Sequence, residues 1–579
     1  MPAAMTGRYA FFAQLMADGI TCMFGNPGSS EENLLDALSA PRFRNFKYYL
    51  ALQEGVAVGM GDAYARASPP TFIDGDLVPW RRPAVVQLHS YAGLANGLGM
   101  MYYARRGYTP MVVIAGEAGL RYEAMDGQMA ADLPALARPF VKSDQNGPCA
   151  WRVVDPGSLL RLLRRAIKTA ATPPMGPVFL ALPMDVLDEP SAEPIERSLP
   201  VLSRVVPEPR TIAAAAGLLA HAEGPLILMG DGIAASDAQE ELVDVANQLG
   251  AMVWGANSSE INMPHSHPLY GGALGHMFGE ASQPITSAAD VVLVCGTTLL
   301  PEVFPLREGV FATGAKVIHF DLNASEIGKN FPVVVGALGD PKLTLAALAD
   351  ALRNTMGEPQ RGAAAGRLEA QAKRKAEEGQ RARAADDAYR GAAPMHGSQF
   401  MRQFADRIPA GALVFDEALT HSPELMRYLP LDQPGTYFQT RAGMLGTGLP
   451  GGLGLKAAHP DRTVFAFAGD GGSMSTIQAF ATAARHELGV KFVICNNRSY
   501  RILKYNLQQY WKDAGQAVDL PFPPSFDLHT PELRFDLFAA AQGVRAVRVE
   551  REDQIPSALD EALADDRPFV IDLVLSSAL

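Results

Sequence analysis

Seven short apolar runs rich in β-branched residues punctuate the chain: PAVVQLHS (83–90), MVVIAGE (111–117), LILMG (226–230), DVVLVCG (290–296), KVIHFDL (316–322), TVFAFAGD (463–470) and KFVICNN (491–497). A run that is apolar at nearly every position is a strand buried on both faces, as in a parallel sheet covered by helices. Helical patterns separate these runs, so the chain reads as βαβ units of the α/β class. Two stretches break the pattern. Residues 186–210 carry prolines at 190, 194, 200, 207 and 209, which suits an extended linker. Residues 354–395 are rich in charge and alanine, and predict a solvated helix plus coil between domains. The expected organisation is a first domain at 1–188, a middle domain at 205–352, a linker at 353–394 and a last domain at 395–579. The outer two share a strand–turn–helix–strand unit: Val85 to Val112 spans 27 positions and Val464 to Phe492 spans 28. That match predicts parallel sheets flanked by helices, the outer pair being duplicates of one plan. The middle strands predict a nucleotide-fold-like sheet without a phosphate loop.

The 579 residues exceed what one core can hold, and 48% apolar content excludes disorder for most of the length. The balance of 50 basic against 62 acidic residues, a net charge of −12, disfavours nucleic acid and anionic membranes as partners. Four scattered cysteines offer neither a disulfide framework nor a CxxC metal site. With no secretory pattern at the start and no apolar run of membrane length, they predict a cytoplasmic location.

The chemistry concentrates in AGDGGSMSTIQAFATAARHELGVKFVICNN (468–497). A strand ends at Asp470 in a glycine-rich turn, a helix follows, and the next strand ends in Asn496-Asn497. Asp470 and Asn497 are thereby expected side by side at the carboxyl ends of neighbouring parallel strands, where open α/β sheets bind ligands. A carboxylate plus an amide oxygen suits Mg²⁺, and the helix start at Gly472–Ser473 offers donors to a phosphate. A plain helix cap by Asp470 and an asparagine turn would use the same residues.

Gly-Asp-Gly separated by 24 residues from Asn-Asn resembles the signature of thiamine-diphosphate-dependent enzymes. FGNPGSSEE (24–32), ALQEGVAVGMGDAYARAS (51–68), VQLHSYAGLANGLG (86–99) and RAGMLGTGLPGGLG (441–454) extend the likeness to the 2-oxo acid decarboxylases of that group, and most to the benzoylformate decarboxylase family. The resemblance implies a first domain holding the aminopyrimidine, a last domain holding the diphosphate, and sites built between subunits of a homo-oligomer, a dimer or tetramer. It implies that Glu54 hydrogen-bonds the pyrimidine ring and drives removal of the thiazolium C2 proton, although Glu54 as a helix cap is the bland alternative. Leu445 would support the bent cofactor from beneath, the Gly443 carbonyl would accept from its amino group, and Thr420, Gly471, Gly472, Ser473 and Tyr500 would border it. Leu419 stands where the family carries a hydroxyl residue. Asp470, Asn497 and the Ser499 carbonyl would be the Mg²⁺ ligands. Ser29, His89 and His267 would flank the reacting centre, with His265 and His276 one register slip away from His267.

Ser29, His89 and Leu503 are the expected substrate wall, joined by Tyr500 and Lys504 in a segment, 498–515, that departs from the family. A further departure is the insertion at 69–82, which reads as a surface loop or a cover for the site. The expected reaction is decarboxylation of a 2-oxo acid, aryl in the benzoylformate manner, to an aldehyde. A carboligase or 2-hydroxyacyl-CoA lyase would use the same cofactor. GTGLPG (446–451) also fits GxGxxG, the mark of a nucleotide-dependent oxidoreductase, but follows a poor strand.

Overall fold

Eighteen strands build three six-stranded sheets in which every pairing is parallel. The computed structural model describes residues 5–579 except 70, 74, 75, 79, 80, 192, 200, 202, 203, 276 and 301, with backbone alone at 71–73 and 76–78. The first sheet contains β1 (Cys22–Gly25), β2 (Lys47–Leu50), β3 (Ala84–His89), β4 (Met111–Glu117), β5 (Ala150–Arg152) and β6 (Pro177–Pro183). The middle sheet contains β7 (Pro225–Met229), β8 (Met252–Gly255), β9 (Tyr270–Ala273), β10 (Val291–Cys295), β11 (Lys316–Asp321) and β12 (Val335–Leu338). The last contains β13 (Leu413–Glu417), β14 (Tyr437–Gln439), β15 (Val464–Gly469), β16 (Val490–Asn496), β17 (Arg545–Val549) and β18 (Phe569–Val574).

The spatial order is β2-β1-β3-β4-β6-β5 in the first sheet and β14-β13-β15-β16-β18-β17 in the last. Both are the order 2-1-3-4-6-5, so the outer sheets are topological copies. In such a sheet the connections change direction between its first and third strands, and ligands bind in the crevice outside the carboxyl ends there. The middle sheet runs β9-β8-β7-β10-β11-β12, a doubly wound nucleotide-fold order. A cavity of about 540 Å³ at its own crossover is bordered by Arg66, Asp231, Glu260, Thr297, Asp321 and Arg441.

Two glycine-rich helices join the outer domains. Helix α1 (Glu54–Ala67) packs on α4 (Gly448–Ala458), numbering after α2 (Ser90–Arg106) and α3 (Glu358–Asp387). A Cβ on Gly454 would sit 2.3 Å from the Met60 carbonyl oxygen, and one on Gly451 would meet the Phe415 ring at 2.5 Å. Each interior glycine costs a helix about 1 kcal/mol. Here it permits backbone contact, and Val56, Met60, Ala63, Leu449 and Leu453 share one continuous core. Within GTGLPG, Gly451 thus serves packing on β13, and Gly446, at φ +80°, turns the chain before α4.

In the stretch expected as helix plus coil, 358–387 is one continuous helix, α3, which buries only Ala364 and Asp386, and turn and coil follow to 396. Ion pairs such as Arg361–Glu358 and Arg374–Glu378, three and four residues apart, support it. Within the insertion, 71–73 pairs antiparallel with 76–78, while residues 70, 74, 75, 79 and 80 lie outside the described residues. Among the described residues no helix is long and apolar enough to cross a membrane.

A buried ionic knot ties the three domains together. Arg66 contacts Asp62 of its own helix, Glu260 at 3.2 Å, the Ser259 hydroxyl at 3.0 Å and the Gln439 carbonyl at 3.2 Å. Arg441 pairs with Asp62 at 3.2 Å and Asp231 at 3.6 Å. Burial alone would lower the Arg66 pKa, but Tyr103, Glu260, Asp62 and Asp231 around it raise it above the ordinary range.

Candidate active site

Both clusters singled out in the sequence fall at the crossover of an outer sheet. In the first sheet β1 delivers Asn26 and the Gly28–Glu31 turn, and its neighbour β3 ends at His89. In the last sheet β13 ends at Glu417 and its neighbour β15 leads into Asp470.

Glu54 opens α1, but the residue that caps the helix is Gln53, whose side chain accepts from the Val56 N–H. The Glu54 carboxylate is held instead by two amides: Asn26 donates to Oε1 at 3.0 Å and Asn96, on α2, to Oε2 at 3.1 Å. The side chain is buried.

His89 is set against a second buried carboxylate. Its Nδ1 lies 2.9 Å from Glu31 Oε2 and 3.1 Å from the Ser30 hydroxyl. Glu31 also accepts from the Ser30 hydroxyl and from the N–H groups of Gly28 and Gly116, at 2.9, 2.9 and 2.7 Å. Gly28 lies flat on the imidazole, where a Cβ would meet the ring at 2.4 Å. A carboxylate on Nδ1 selects the tautomer that leaves Nε2 free for proton transfer. Ser29 is exposed on the same turn. Among the described residues it is Ser30 that hydrogen-bonds His89.

The last-domain cluster is built around an orphaned oxygen. Strand register pairs Gly469 with Cys495, which sets Asp470 beside the Asn496-Asn497 turn. Asp470 Oδ1 accepts from the Gly471 N–H at 2.7 Å, while Oδ2 is buried without a hydrogen-bond partner. Burial pushes this carboxyl up to about 6, against the pull of the backbone N–H groups of Gly471, Arg498 and Ser499. Asn497 Oδ1 accepts from the Ser499 N–H at 3.0 Å, and its Nδ2 faces His421 Nε2 at 3.5 Å. Tyr500 lies over Gly471, where a Cβ would be 2.5 Å from its ring. Ser473 is fully buried and donates to the Gly469 carbonyl at 2.8 Å. Thr420 lies half-buried in the turn after β13, and Leu503 is exposed on the helix Arg501–Asp513.

The loop before α4 completes this half. Ala442, Gly443 and Gly446 all have positive φ (+56°, +69° and +80°), and Leu445 stays 38% exposed between them. Glu417 accepts hydrogen bonds from the Gly446 and Gly448 N–H groups. Burial pushes its carboxyl up to about 7, opposed by those same two N–H groups.

His267 lies in the middle domain, between β8 and β9. Its Nδ1 accepts from the Leu269 N–H at 3.2 Å, and Lys375 of α3 donates to the carbonyls of His265, His267 and Tyr270. His265 stacks on Tyr270, and burial lowers its pKa to about 4. Among the described residues no hydrogen bond or ion pair joins His267 to His89, Glu54 or Asp470, and His276 lies outside the described residues.

Models of the thiamine pyrophosphate enzymes match the chain in three blocks: the N-terminal TPP binding domain at 5–136, the central domain at 212–348 and the C-terminal TPP binding domain at 420–573. The chain belongs to the thiamine-diphosphate-dependent enzymes, in the branch that contains decarboxylases, acetolactate synthases and acetyltransferases of carbon–carbon bond cleavage. It is 28% identical to benzoylformate decarboxylase from Pseudomonas aeruginosa over 573 residues, 98% of each chain. Sulfoacetaldehyde acetyltransferase from Castellaniella defragrans is 26% identical, covering 99% of this chain and 94% of that one. The thiamine diphosphate-dependent 4-hydroxybenzoylformate decarboxylase of Rhodococcus jostii RHA1 shares the fold, with a TM-score of 0.80, 24% identity and 99% of each chain covered.

The donor set fits this cofactor and its metal. No cluster of three or more His, Cys, Asp or Glu side chains arranged for a metal occurs among the described residues. One carboxylate, one amide and a backbone carbonyl fit Mg²⁺, which favours few protein ligands and completes its shell with phosphate oxygens and water. Asp470 Oδ2, buried with no hydrogen-bond partner among the described residues, is chemically suited to coordinate such a cation.

Proposed function

We propose that this enzyme decarboxylates a 2-oxo acid and releases an aldehyde. The observation that carries the reading is the His89–Glu31 pair. Decarboxylation to an aldehyde must end by delivering a proton to the former carbonyl carbon, and an imidazole with Nε2 left free is suited to that delivery. Bound thiamine diphosphate supplies the electron sink that accepts the pair left on that carbon when the bond to the carboxylate breaks and CO₂ departs. Asp470, Asn497 and the Ser499 carbonyl hold the metal and, with Thr420, Gly471, Gly472 and Ser473, the diphosphate. Glu54 exchanges a proton with the pyrimidine ring, Gly443 accepts from its amino group, and Leu445 supports the cofactor from beneath. Ser29, Tyr500 and Leu503 border the substrate.

Incubation with a panel of aryl and alkyl 2-oxo acids, thiamine diphosphate and Mg²⁺ tests this reading, with one aldehyde expected per CO₂. Likeness to the acetyltransferase supports a second reading, transfer of the acyl fragment to another acceptor. Under it CO₂ or the cleaved acid would be matched by a coupled product instead of free aldehyde.

His89→Ala is expected to lower kcat by ~10²–10⁴, the range for loss of a general acid–base group. Glu31→Gln should lower it less, by misorienting the ring. His267→Ala is expected to lower kcat strongly as well, with cofactor affinity nearly intact, and full rate in this variant would remove His267 from the reacting centre. Steady-state kinetics normalised to folded protein checks all three.

We further propose that each site takes Glu54 from one subunit and Asp470 from another. No hydrogen bond or ion pair joins the two clusters within one chain among the described residues. Mixing Glu54→Gln with Asp470→Ala subunits should then regenerate activity, since one of the two sites in a mixed dimer receives both intact halves. A mixture as inactive as its parents would mean that each chain builds its own site.

A further inference from the structure

Glu417 carries no counter-cation, yet it is 1% exposed at the sheet crossover. Among the described residues it forms no ion pair, and its burial is compensated by backbone N–H groups: those of Gly446 and Gly448 donate to its two oxygens. A buried carboxylate held only by neutral donors is costly compared with an apolar residue of the same shape. The geometry gives that cost a purpose. The two N–H groups flank the end of the 442–448 loop, where Gly446 at φ +80° allows the chain to double back. The loop's carbonyls are tied in parallel: Thr476 donates to the Gly446 carbonyl at 2.9 Å and Thr440 to that of Met444 at 3.0 Å. Leu445 therefore projects from a loop pinned on both sides. The same carboxylate touches the diphosphate turn, since a Cβ on Gly472 would lie 3.0 Å from Glu417 Oε1.

We propose that Glu417 is a positioning residue for the cofactor, clamping the loop that presents Gly443 and Leu445 and setting its height against the Asp470–Ser473 turn. This rests on the assignment of Leu445 as the support beneath the cofactor. The competing account is that Glu417 only satisfies the N-terminal N–H groups of α4 and stabilises the fold.

Glu417→Gln keeps the volume but has one acceptor oxygen, so one of the two N–H groups must be released. Two readouts apply: titration of apoenzyme with thiamine diphosphate and Mg²⁺, and hydrogen–deuterium exchange at the cofactor C2 position by NMR after acid quench. Both are made in the wild type, in Glu417→Gln, in Leu445→Ala and in the double variant. Positioning through Leu445 predicts cofactor binding weakened about tenfold or more and exchange slowed ~10–100-fold by Glu417→Gln, with under about threefold further loss when Leu445 is already alanine. Additive losses, or a lowered melting temperature with wild-type exchange, would overturn the positioning role alone. Wild-type exchange in Leu445→Ala would overturn the assignment of Leu445 and the positioning role with it. Should Glu417→Gln not fold, Glu417→Asp keeps the charge, is one methylene too short to reach both N–H groups, and enters the same cycle.

Discussion

Asp470→Ala is expected to abolish retention of the cofactor, raising the dissociation constant for thiamine diphosphate in the presence of Mg²⁺ by about 10³-fold or more. Asp470 Oδ2 is a buried oxygen without a hydrogen-bond partner among the described residues, and Asp470 is the only carboxylate among the three proposed ligands. Removing it leaves an amide and a carbonyl, two neutral donors too weak to hold the Mg²⁺ whose charge would neutralise the diphosphate. The same feature predicts an opposite effect on the empty protein. A buried carboxylate oxygen without a partner costs stability, so the apoenzyme of Asp470→Ala should melt no lower than wild-type apoenzyme. Calorimetric titration with thiamine diphosphate and thermal melts of both apo forms check the pair of outcomes. Unchanged affinity would remove Asp470 from the metal site, and a much lower melting temperature would make it a structural cap of the glycine turn.

Glu54→Gln should separate binding from activation. The substituted side chain fills the same space between Asn26 and Asn96, so cofactor affinity should stay within about tenfold of wild type. A glutamine cannot exchange a proton with the ring, so hydrogen–deuterium exchange at C2 and kcat should fall together by ~10²–10⁴, the range of a lost acid–base group. The amide also presents an N–H₂ group to one of the two asparagine donors, and that mismatch alone is worth no more than a single hydrogen bond. Wild-type exchange in this variant would return Glu54 to a purely structural place at the start of α1.

The sheets were legible because central strands of parallel sheets are apolar on both faces, as in VVLVC and MVVIAGE, whereas FVIDLV, a strand of the last sheet, was not singled out. The shared spacing of the outer domains corresponds to a shared strand order, 2-1-3-4-6-5. The glycine and acidic residues of the cofactor turn were legible for a similar reason, since turn, helix start and strand end follow one another along the chain. Contacts that depend on tertiary pairing were not. Glu31 reaches His89 across 58 positions because β1 and β3 are neighbours, and nothing in SSEE marks the first glutamate as buried and the second as exposed. The amides of Asn26 and Asn96 meet on Glu54 from two different elements. Glu417 ends an ordinary strand, and only the positive-φ loop beside it explains a carboxylate there. Likewise nothing near the histidines at 265 and 267 shows that Lys375, over a hundred positions later on α3, holds their loop. The linker's helix was legible in its charge and alanine, while the ion pairs that support it depend on spacing that composition alone does not reveal.

The ionic knot of Arg66, Asp62, Glu260, Asp231 and Arg441 ties the middle domain to the outer pair, which already share one core. Pulling any domain away would strand a guanidinium or a carboxylate in an apolar surface, and breaking one such pair costs about 3–5 kcal/mol. A protease that nicks the solvent-exposed α3 would thus leave two fragments still bound to each other. Neither fragment is expected to survive as a free-standing module, so pieces of this enzyme will not be exchangeable cassettes unless both arginines and their partners travel together.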